Sequence, residues 1–202
     1  SGVLVPFFAR HPFARQVILT KSAGIERFLN LDHRGHTTLS WSLNPPDIAA
    51  DFEKNVPPIE ARVGAMAQAA RAGYPVRAIV MPLIPVADWR KKYEAFIGDL
   101  VSRVPLSRLT FGGICSYPNA KGLMVRELGG DNAISCHMSG KRSASDGRAR
   151  YPAGLRVEMY SQLVRLARRL RPDLEVGLCL EEKEVRAEVE EAAALGRCNC
   201  VL

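Results

Sequence analysis

The sequence predicts an α/β fold in which parallel strands are joined by helices. Two observations lead to this prediction. Residues 37–44 alternate between apolar and small polar side chains with a period of two, which is typical of a β-strand. Segments with strand-like and helix-like patterns then follow one another between residues 16 and 114. This alternation implies a parallel sheet with right-handed crossovers, either open or closed into a barrel.

The first two predicted strands lie at residues 16–21 and 37–44. Lys21 is at the carboxyl end of the first strand, and two prolines end the second, because proline has no N–H for the ladder. Proteins of the α/β class place their binding sites at the carboxyl ends of strands. Ser42 and Asn44 therefore suit contact with a ligand, and a solvent-facing polar edge is an equally good interpretation.

Helical spacing of apolar residues then alternates with short apolar runs. We expect a polar loop over residues 47–56, followed by a helix that begins at two prolines and ends at Gly73. The almost wholly apolar run 76–83 is bounded by prolines and is typical of a buried parallel strand. A helix over 89–104 and a strand over 106–114 follow.

The character of the sequence changes after the fourth predicted strand. A long segment rich in Gly, Ser and charged residues indicates a surface loop, and loops of this length are usually functional or disordered. The expected elements are a helix over 116–126, the loop over 129–151, a basic amphipathic helix over 155–170, a strand over 175–180 and an acidic helix over 181–195.

The composition indicates a basic globular protein. The chain has 202 residues, enough for one large domain or one and a half, and its formal net charge is +7. An excess of positive charge points toward a polyanionic partner such as nucleic acid, although a basic protein without such a partner is at least as common. No signal peptide and no apolar run long enough to span a bilayer is present, so we expect a cytoplasmic protein without a membrane partner.

The cysteines favour reduced thiols over a disulfide framework, because they are odd in number and scattered. The chain has five: Cys115, Cys136, Cys179, Cys198 and Cys200. The last two are separated by one residue, and such a pair can bind a metal or be redox-active. Two incidental thiols in a tail are the simpler interpretation, because Cys136 with His137 is the only other Cys/His pair.

Basic residues concentrate in the predicted loop and helix, where acidic residues are few. If several of them share one face, they would neutralise DNA phosphates and give a salt-dependent affinity. A solvated basic helix is the alternative. The basic residues are Lys141, Arg142, Arg148, Arg150, Arg156, Arg165, Arg168, Arg169 and Arg171.

Several short motifs follow one another along the first half of the chain. They are Lys21 after a strand, Trp41-Ser42-Leu43-Asn44 with Asp47, Asp51-Phe52-Glu53, Ala72-Gly73-Tyr74-Pro75, Ile79-Val80-Met81-Pro82 and Trp89. Their order and spacing resemble those of the spore photoproduct lyase family. The resemblance is strongest over residues 16–103 and continues more weakly to Arg150-Tyr151.

That family belongs to the radical S-adenosylmethionine enzymes, so the resemblance implies a partial (β/α) barrel with about four of six parallel strands present and a C-terminal helical extension. We expect the partial barrel to span residues 1–128. A basic loop, a helix and the extension would span 129–202 and pack on the same domain.

The resemblance also implies a function. In this family a [4Fe–4S] cluster reduces S-adenosylmethionine, and the resulting 5′-deoxyadenosyl radical reverses a thymine dimer lesion in spore DNA. The expected cofactor-binding residues are Lys21, Ser42, Asn44 and Met81, with a smaller residue at the last position in the family. The expected substrate-binding or DNA-binding residues are Arg150, Tyr151, Lys141, Arg142 and Arg148.

The chain departs from the family at the cluster. The family motif C-x3-C-x2-C does not occur here, so we expect no metal-binding residues, no catalytic residue and no turnover in this chain alone. The first two barrel strands would precede it, which leaves the strand Gln16–Lys21 with an unpaired edge. Unpaired edges recruit other strands, so we expect an oligomer or a partner segment there.

Two alternatives to DNA repair remain. The first is a radical S-adenosylmethionine enzyme that acts on another substrate, since fold and cofactor do not fix the reaction. Met81 favours this alternative, because it would narrow the adenosine side of the site. The second is a non-catalytic barrel remnant that only binds nucleic acid.

Overall fold

The structure is a computed structural model that describes residues 1–138, 146–190 and 192–202. Its strands form one sheet in the order β1-β2-β3-β4-β5, and every neighbouring pair is parallel. The α/β prediction is therefore confirmed, with five strands in the sheet where about four were expected. The strands are β1 (Gln16–Thr20), β2 (Thr37–Leu43), β3 (Val76–Val80), β4 (Arg108–Phe111) and β5 (Glu175–Leu178).

Helices connect the strands and cover one face of the sheet. They are α1 (Leu4–Arg10), α2 (Glu26–Leu29), α3 (Pro46–Phe52), α4 (Ile59–Arg71), α5 (Trp89–Arg103), α6 (Pro118–Leu128), α7 (Ala153–Leu170) and α8 (Lys183–Glu188), with 3-10 turns at Ser135–His137 and Ala192–Ala194. Strand β3 ends at Val80, earlier than expected, because Pro82 has no N–H to continue the ladder.

The prediction of a polar loop over residues 47–56 is wrong, because α3 occupies most of it. Proline in the first turn and Asp47 beside it suit the start of a helix, whose free N–H groups attract negative charge. Ile48 and Ala49 are buried and anchor α3 against the core. Two buried residues are too few to give a helical period that the sequence would reveal.

The prediction of one acidic helix over 181–195 is also wrong. Helix α8 ends at Glu188, and Val189 adopts an extended conformation that turns its side chain into the core. The N–H of Glu190 then donates to Oγ of Ser161 on α7, 3.0 Å away. A contact with another helix therefore replaces the next turn of α8.

The hydrophobic core lies between the sheet and the helices. Leu39, Trp41 and Leu43 of β2 point to this side, where Tyr93 and Phe96 of α5 pack in the same buried cluster. The period of two in residues 37–44 is therefore the pattern of a strand with one face in the core.

The opposite face of the sheet is polar and carries the end of the chain. Ser40, Arg77, Arg108 and Glu175 occupy matching positions of β2 to β5, so their side chains share this face. Residues 196–202 lie against it, and Gly196 forms a parallel bridge with Gly177 of β5. We call this side of the sheet the tail face.

Strand β1 is at one edge of the sheet and pairs with β2 alone within the described residues. Leu19 on β1 is exposed, as are Phe7 on α1 and Phe13 before β1. The oligomer or partner segment expected at this edge stays a prediction. No helix in the described part of the chain has both the length and the apolar character needed to cross a membrane.

Candidate functional site

Lys21 and Ser42 lie at the same edge of the sheet. Strands β1 and β2 are parallel, and Thr20 pairs with Trp41. The residues that follow them, Lys21 and Ser42, therefore occupy matching positions. Both positions are at the carboxyl ends of their strands, where α/β proteins bind their ligands. We call this edge, with Glu53 and Arg62 described next, the rim.

A chain of charged groups connects the rim to the helices behind it. Nζ of Lys21 lies 3.0 Å from Oε1 of Glu53, and Nη1 of Arg62 lies 2.7 Å from its Oε2. Arg62, on α4, is 1% exposed and also donates to the carbonyls of Pro57 at 2.8 Å and Ser42 at 3.2 Å. Glu53 thus joins β1 to α4, and Arg62 joins α4 to β2.

The rim has two cations for one carboxylate. Burying a charge without a partner is costly, so Glu53 is what allows Arg62 to be buried. Lys21 keeps 37% of its side chain exposed, and its ammonium can therefore meet an incoming anion. Sequence reasoning quoted Glu53 only as part of a motif and missed Arg62, because no local spacing connects either residue to Lys21.

Asn44 lies just beyond β2 and is buried. Its Oδ1 accepts a hydrogen bond of 3.0 Å from the hydroxyl of Tyr93, which in turn accepts one of 2.9 Å from the N–H of Ile84. Burial raises the pKa of Tyr93 well above its usual value, so this hydroxyl stays protonated and donates. The structure gives Asn44 a contact that holds α5 to β2, and its role as a cofactor ligand stays a prediction.

Met81 follows β3, and its side chain lies over the end of β4. A Cβ placed on Gly112 would be 2.7 Å from Sδ of Met81, closer than two such atoms can approach. The next residue, Gly113, donates its N–H to the hydroxyl of Tyr160 at 2.7 Å. The methionine therefore fills the space between the ends of these two strands, and a glycine at position 112 makes room for it.

Arg150 and Tyr151 are both buried, before the start of α7. Two nitrogens of Arg150 donate to the carboxylate of Asp146, at 3.0 and 2.5 Å, and this holds the pKa of Asp146 well below its usual range. The hydroxyl of Tyr151 is buried with no hydrogen-bond partner among the described residues. Burial raises the pKa of Tyr151, so its phenol remains neutral.

The other predicted DNA-binding residues divide into two groups. Arg148 stacks over the ring of Tyr117, 4.7 Å from its centre, and donates to the Tyr117 hydroxyl at 2.6 Å. Lys141 and Arg142 lie outside the described residues. Arg148, Arg150 and Tyr151 therefore lie on one segment just before α7, which is far in sequence from Lys21 and Ser42.

The basic stretch is largely paired with acidic groups and carbonyls. Arg156, which is buried, contacts Glu181 and lies 2.9 Å from Glu182. Four further arginines on α7 or just after it also have partners, so this region presents mixed charge to solvent. These contacts are Arg165 with Glu190, Arg168 with the carbonyl of Ala194, Arg169 with Glu94, and Arg171 with Asp173.

The tail face holds a second cluster that sequence reasoning missed. Arg108 is 1% exposed, and its Nη2 lies 2.9 Å from Oε2 of Glu175. Arg108 also donates to the backbone carbonyl of Cys198, and Arg77 donates to that of Asn199, both at 2.8 Å. Burial and the neighbouring Arg108 lower the pKa of Arg77. Hydrogen bonds to carbonyls give no periodic pattern that a sequence could reveal.

Comparison with known proteins identifies relatives for the first half of the chain. A family model described as spore photoproduct lyase matches residues 3–114. The spore photoproduct lyase of Clostridium acetobutylicum is 28% identical over 114 residues, which are 55% of this chain and 34% of that protein. The enzyme of Bacillus subtilis is 26% identical over 101 residues, 50% of this chain and 30% of that protein. The chain therefore spans about a third of the length of these curated relatives.

Solved structures show the same fold. A spore photoproduct lyase double mutant with bound AdoMet and dinucleoside spore photoproduct has a TM-score of 0.75 and 20% identity, covering 86% of this chain and 53% of that one. Spore photoproduct lyase complexed with dinucleoside spore photoproduct has a TM-score of 0.75 and 19% identity, covering 87% and 54%. Since the family model spans more than half of the sequence and includes Lys21 and Ser42, the chain belongs to the spore photoproduct lyase family.

Proposed function

We propose that the protein is a radical S-adenosylmethionine lyase that repairs DNA by reversing a thymine dimer lesion. The observation that carries this proposal is the position of Lys21 and Ser42, next to each other along the carboxyl edge of two parallel strands, within the residues that match the family. The relatives are spore photoproduct lyases, and one solved neighbour binds both AdoMet and a dinucleoside lesion. A site of the same kind at the rim would explain why Lys21 and Ser42 occupy matching positions there.

The groups at the rim suit the amino-acid end of S-adenosylmethionine, which carries one carboxylate and one ammonium. Lys21 would bind the carboxylate, and Glu53 can hold Lys21 in place or accept from the ammonium. When bound and reduced, the cofactor would supply the radical that starts the reaction.

The [4Fe–4S] cluster does not fit the described residues. Within residues 1–138, 146–190 and 192–202, no group of three His, Cys, Asp or Glu side chains could hold a metal ion. A cluster of this type needs several thiolates in one place. We therefore assign no part of cluster binding to this chain.

We propose that Arg150 and Tyr151 bind the lesion. Arg150 presents a planar guanidinium to Asp146 through two hydrogen bonds, which is the geometry that also binds phosphate. A DNA phosphate would therefore replace the carboxylate of Asp146. The aromatic ring of Tyr151, which is buried in the structure, would support an extruded base once this exchange exposes it. Arg148, together with Lys141 and Arg142, would add salt-dependent contacts to the backbone of the DNA, in a cytoplasmic enzyme.

The direct test is an anaerobic assay of the natural protein, with any sequence that precedes Ser1 in its gene, loaded with iron and sulfide. The protein is given dinucleotide spore photoproduct, which has the phosphate that Arg150 would bind, with S-adenosylmethionine and a reductant, and the products are separated by chromatography. We expect restoration of the thymine dinucleotide, and a strong loss of product in Arg150→Ala. An intact cluster that yields 5′-deoxyadenosine but no repaired dinucleotide would contradict the assignment of the substrate.

Salt dependence gives a second test of the DNA partner. Fluorescence anisotropy with duplex DNA at low and moderate salt should show binding that weakens as salt rises, because counterions are released when arginine and lysine meet phosphates. Binding that is absent at low salt, or that does not change with salt, would contradict a DNA partner.

A further inference from the structure

The tail of the chain places two thiols side by side. The N–H of Val201 donates to the carbonyl of Cys198 at 3.1 Å, which closes a turn over these four residues. Within this turn Sγ of Cys200 lies 3.2 Å from Sγ of Cys198. The residues between and after the thiols therefore bring them into contact in the reduced protein.

Side chains of the sheet fix the turn from three directions. Arg108 donates to the carbonyl of Cys198 at 2.8 Å, and Arg77 donates to the carbonyl of Asn199 at 2.8 Å. Ser40 donates from its hydroxyl to Oδ1 of Asn199 at 3.0 Å, and Asn199 itself is buried. Because the turn is held by buried groups of β2, β3 and β4, the contact between the two thiols belongs to the fold.

We propose that Cys198 and Cys200 form a redox-active dithiol that exchanges with small-molecule disulfides. An S–S bond measures about 2.0 Å, so the sulfur atoms need to approach by roughly 1.2 Å. Cys200 is exposed and Cys198 is half-buried, so an oxidant can reach the pair from solvent. Because no group of three His, Cys, Asp or Glu side chains within the described residues has an arrangement that could hold a metal ion, disulfide exchange suits this pair better than a bound cation.

The two thiols differ in acidity, which assigns them different roles. Burial opposes ionisation of Cys198, yet N–H groups of Cys200 and Asn199 and the neighbouring thiols outweigh it and lower its pKa. The hydrogen bond to Cys198, together with burial, raises the pKa of Cys200. Cys198 is therefore the attacking thiolate, and Cys200 is the thiol that resolves the mixed disulfide.

The exchange proceeds in two steps. The Cys198 thiolate attacks one sulfur of the small disulfide, forms a mixed disulfide and releases the first thiolate. Cys200 then loses its proton to solvent and attacks Sγ of Cys198, which releases the second thiolate. The protein loses two electrons and two protons, and the small disulfide is reduced to two thiols.

Cys179 is the competitor. It follows β5, and its thiol lies near enough to Cys198 for the two groups to affect each other's pKa. Burial raises the pKa of Cys179, which keeps it a poor nucleophile. Cys136 offers a matched control elsewhere in the chain, since it is exposed and its Sγ is 3.9 Å from the carbonyl of Gly130.

The test treats the whole chain with oxidised glutathione as the small disulfide, quenches with acid and blocks the remaining thiols. Cleavage after Arg197 releases a peptide that contains Cys198 and Cys200 without Cys179. We expect this peptide to be two hydrogens lighter than its reduced form, while Cys136 carries only a glutathione adduct. A peptide cross-linked to Cys179, or a stable glutathione adduct on Cys198, would overturn the proposal.

Variants separate the two roles. Cys200→Ser should trap glutathione on Cys198, and Cys198→Ser should abolish the tail disulfide and leave Cys200 to form only a glutathione adduct, like the exposed Cys136. Cys179→Ser and Cys136→Ser should oxidise at the rate of the parent chain. Asn199→Ala keeps both thiols and loses the contact with Ser40, so the mixed disulfide should accumulate before the ring closes. Equal rates in Cys198→Ser and Cys136→Ser would contradict the assignment of Cys198.

Discussion

The rim and the tail face each combine basic side chains with a carboxylate, but these basic side chains differ in their exposure to solvent. At the rim, Lys21 and Arg62 share Glu53, and Lys21 still reaches solvent. On the tail face, Arg108 pairs with Glu175, and the backbone carbonyls of Cys198, Asn199 and Val201 accept hydrogen bonds from Arg77 and Arg108. The rim therefore leaves one cation accessible to an anion, whereas backbone carbonyls cover both arginines on the tail face.

The difference also follows the division of the chain. The rim lies within residues 3–114, which match the family, whereas the tail that covers the polar face of the sheet lies beyond them. Residues 3–114 provide strands β1 to β4 and the residues that we expect to bind the cofactor. The other half adds β5 and covers the polar side of the sheet.

The largest effect is expected on the tail face. Arg108→Met should reduce the free energy of unfolding by about 3 kcal/mol or more, because Glu175 and the tail carbonyls lose a buried cation. Urea denaturation monitored by tryptophan fluorescence would measure the change. Arg165→Ala is the control, since its pair with Glu190 is exposed and should contribute about 0.5 kcal/mol or less. Equal losses in the two variants would mean that the tail does not hold Arg108 in solution.

A smaller loss of stability is expected at the rim. Glu53→Gln leaves Arg62 buried with two carbonyl partners but without its anion, and should cost about 1–3 kcal/mol in the same measurement. Glu60→Gln, on the helix that carries Arg62, is the control, because the side chain of Glu60 is exposed and its loss should leave the midpoint unchanged. A Glu53→Gln variant as stable as the parent would contradict the role of Glu53 as the anchor of Arg62.

Acid should affect the tail face through Glu175. Burial opposes its ionisation, yet hydrogen bonds from Arg197 and Arg108 hold the pKa of Glu175 at about 2, below the ordinary value of 4.5. A lowered pKa stabilises the folded state above pH 4.5, and this contribution is lost as the pH falls toward 2. Thermal unfolding across this range should therefore show a steeper decline for the parent than for Glu175→Gln. Parallel declines would show that Glu175 is not paired in the folded protein.

The sequence predicted those parts of the fold that repeat along the chain. Strand β2 follows from its alternation, and α5 from apolar residues at helical spacing, because each element buries one continuous face. Helix α3 was missed because only Ile48 and Ala49 of it are buried. The end of α8 was missed because Val189 leaves the helix to reach the core, which is a tertiary contact.

The candidate site was predicted only in part, for a similar reason. Lys21 and Ser42 were found from their place at strand ends and from family motifs, and parallel pairing then sets them next to each other. Glu53, which pairs with Lys21, lies in the connection after α3. Arg62, which pairs with Glu53, lies on α4. Contacts between residues so far apart in sequence depend on how the helices and strands pack, so no local spacing in the sequence predicts them.

Binding of S-adenosylmethionine to the natural protein tests the central claim most directly. Equilibrium dialysis should compare Lys21→Ala with Lys92→Ala, because both lysines pair with a carboxylate and their side chains are 37% and 36% exposed. Loss of one charge-assisted hydrogen bond should weaken binding by about tenfold to a hundredfold in Lys21→Ala and leave Lys92→Ala unchanged. Equal affinities in the parent and Lys21→Ala would contradict the assignment of the rim as the cofactor site.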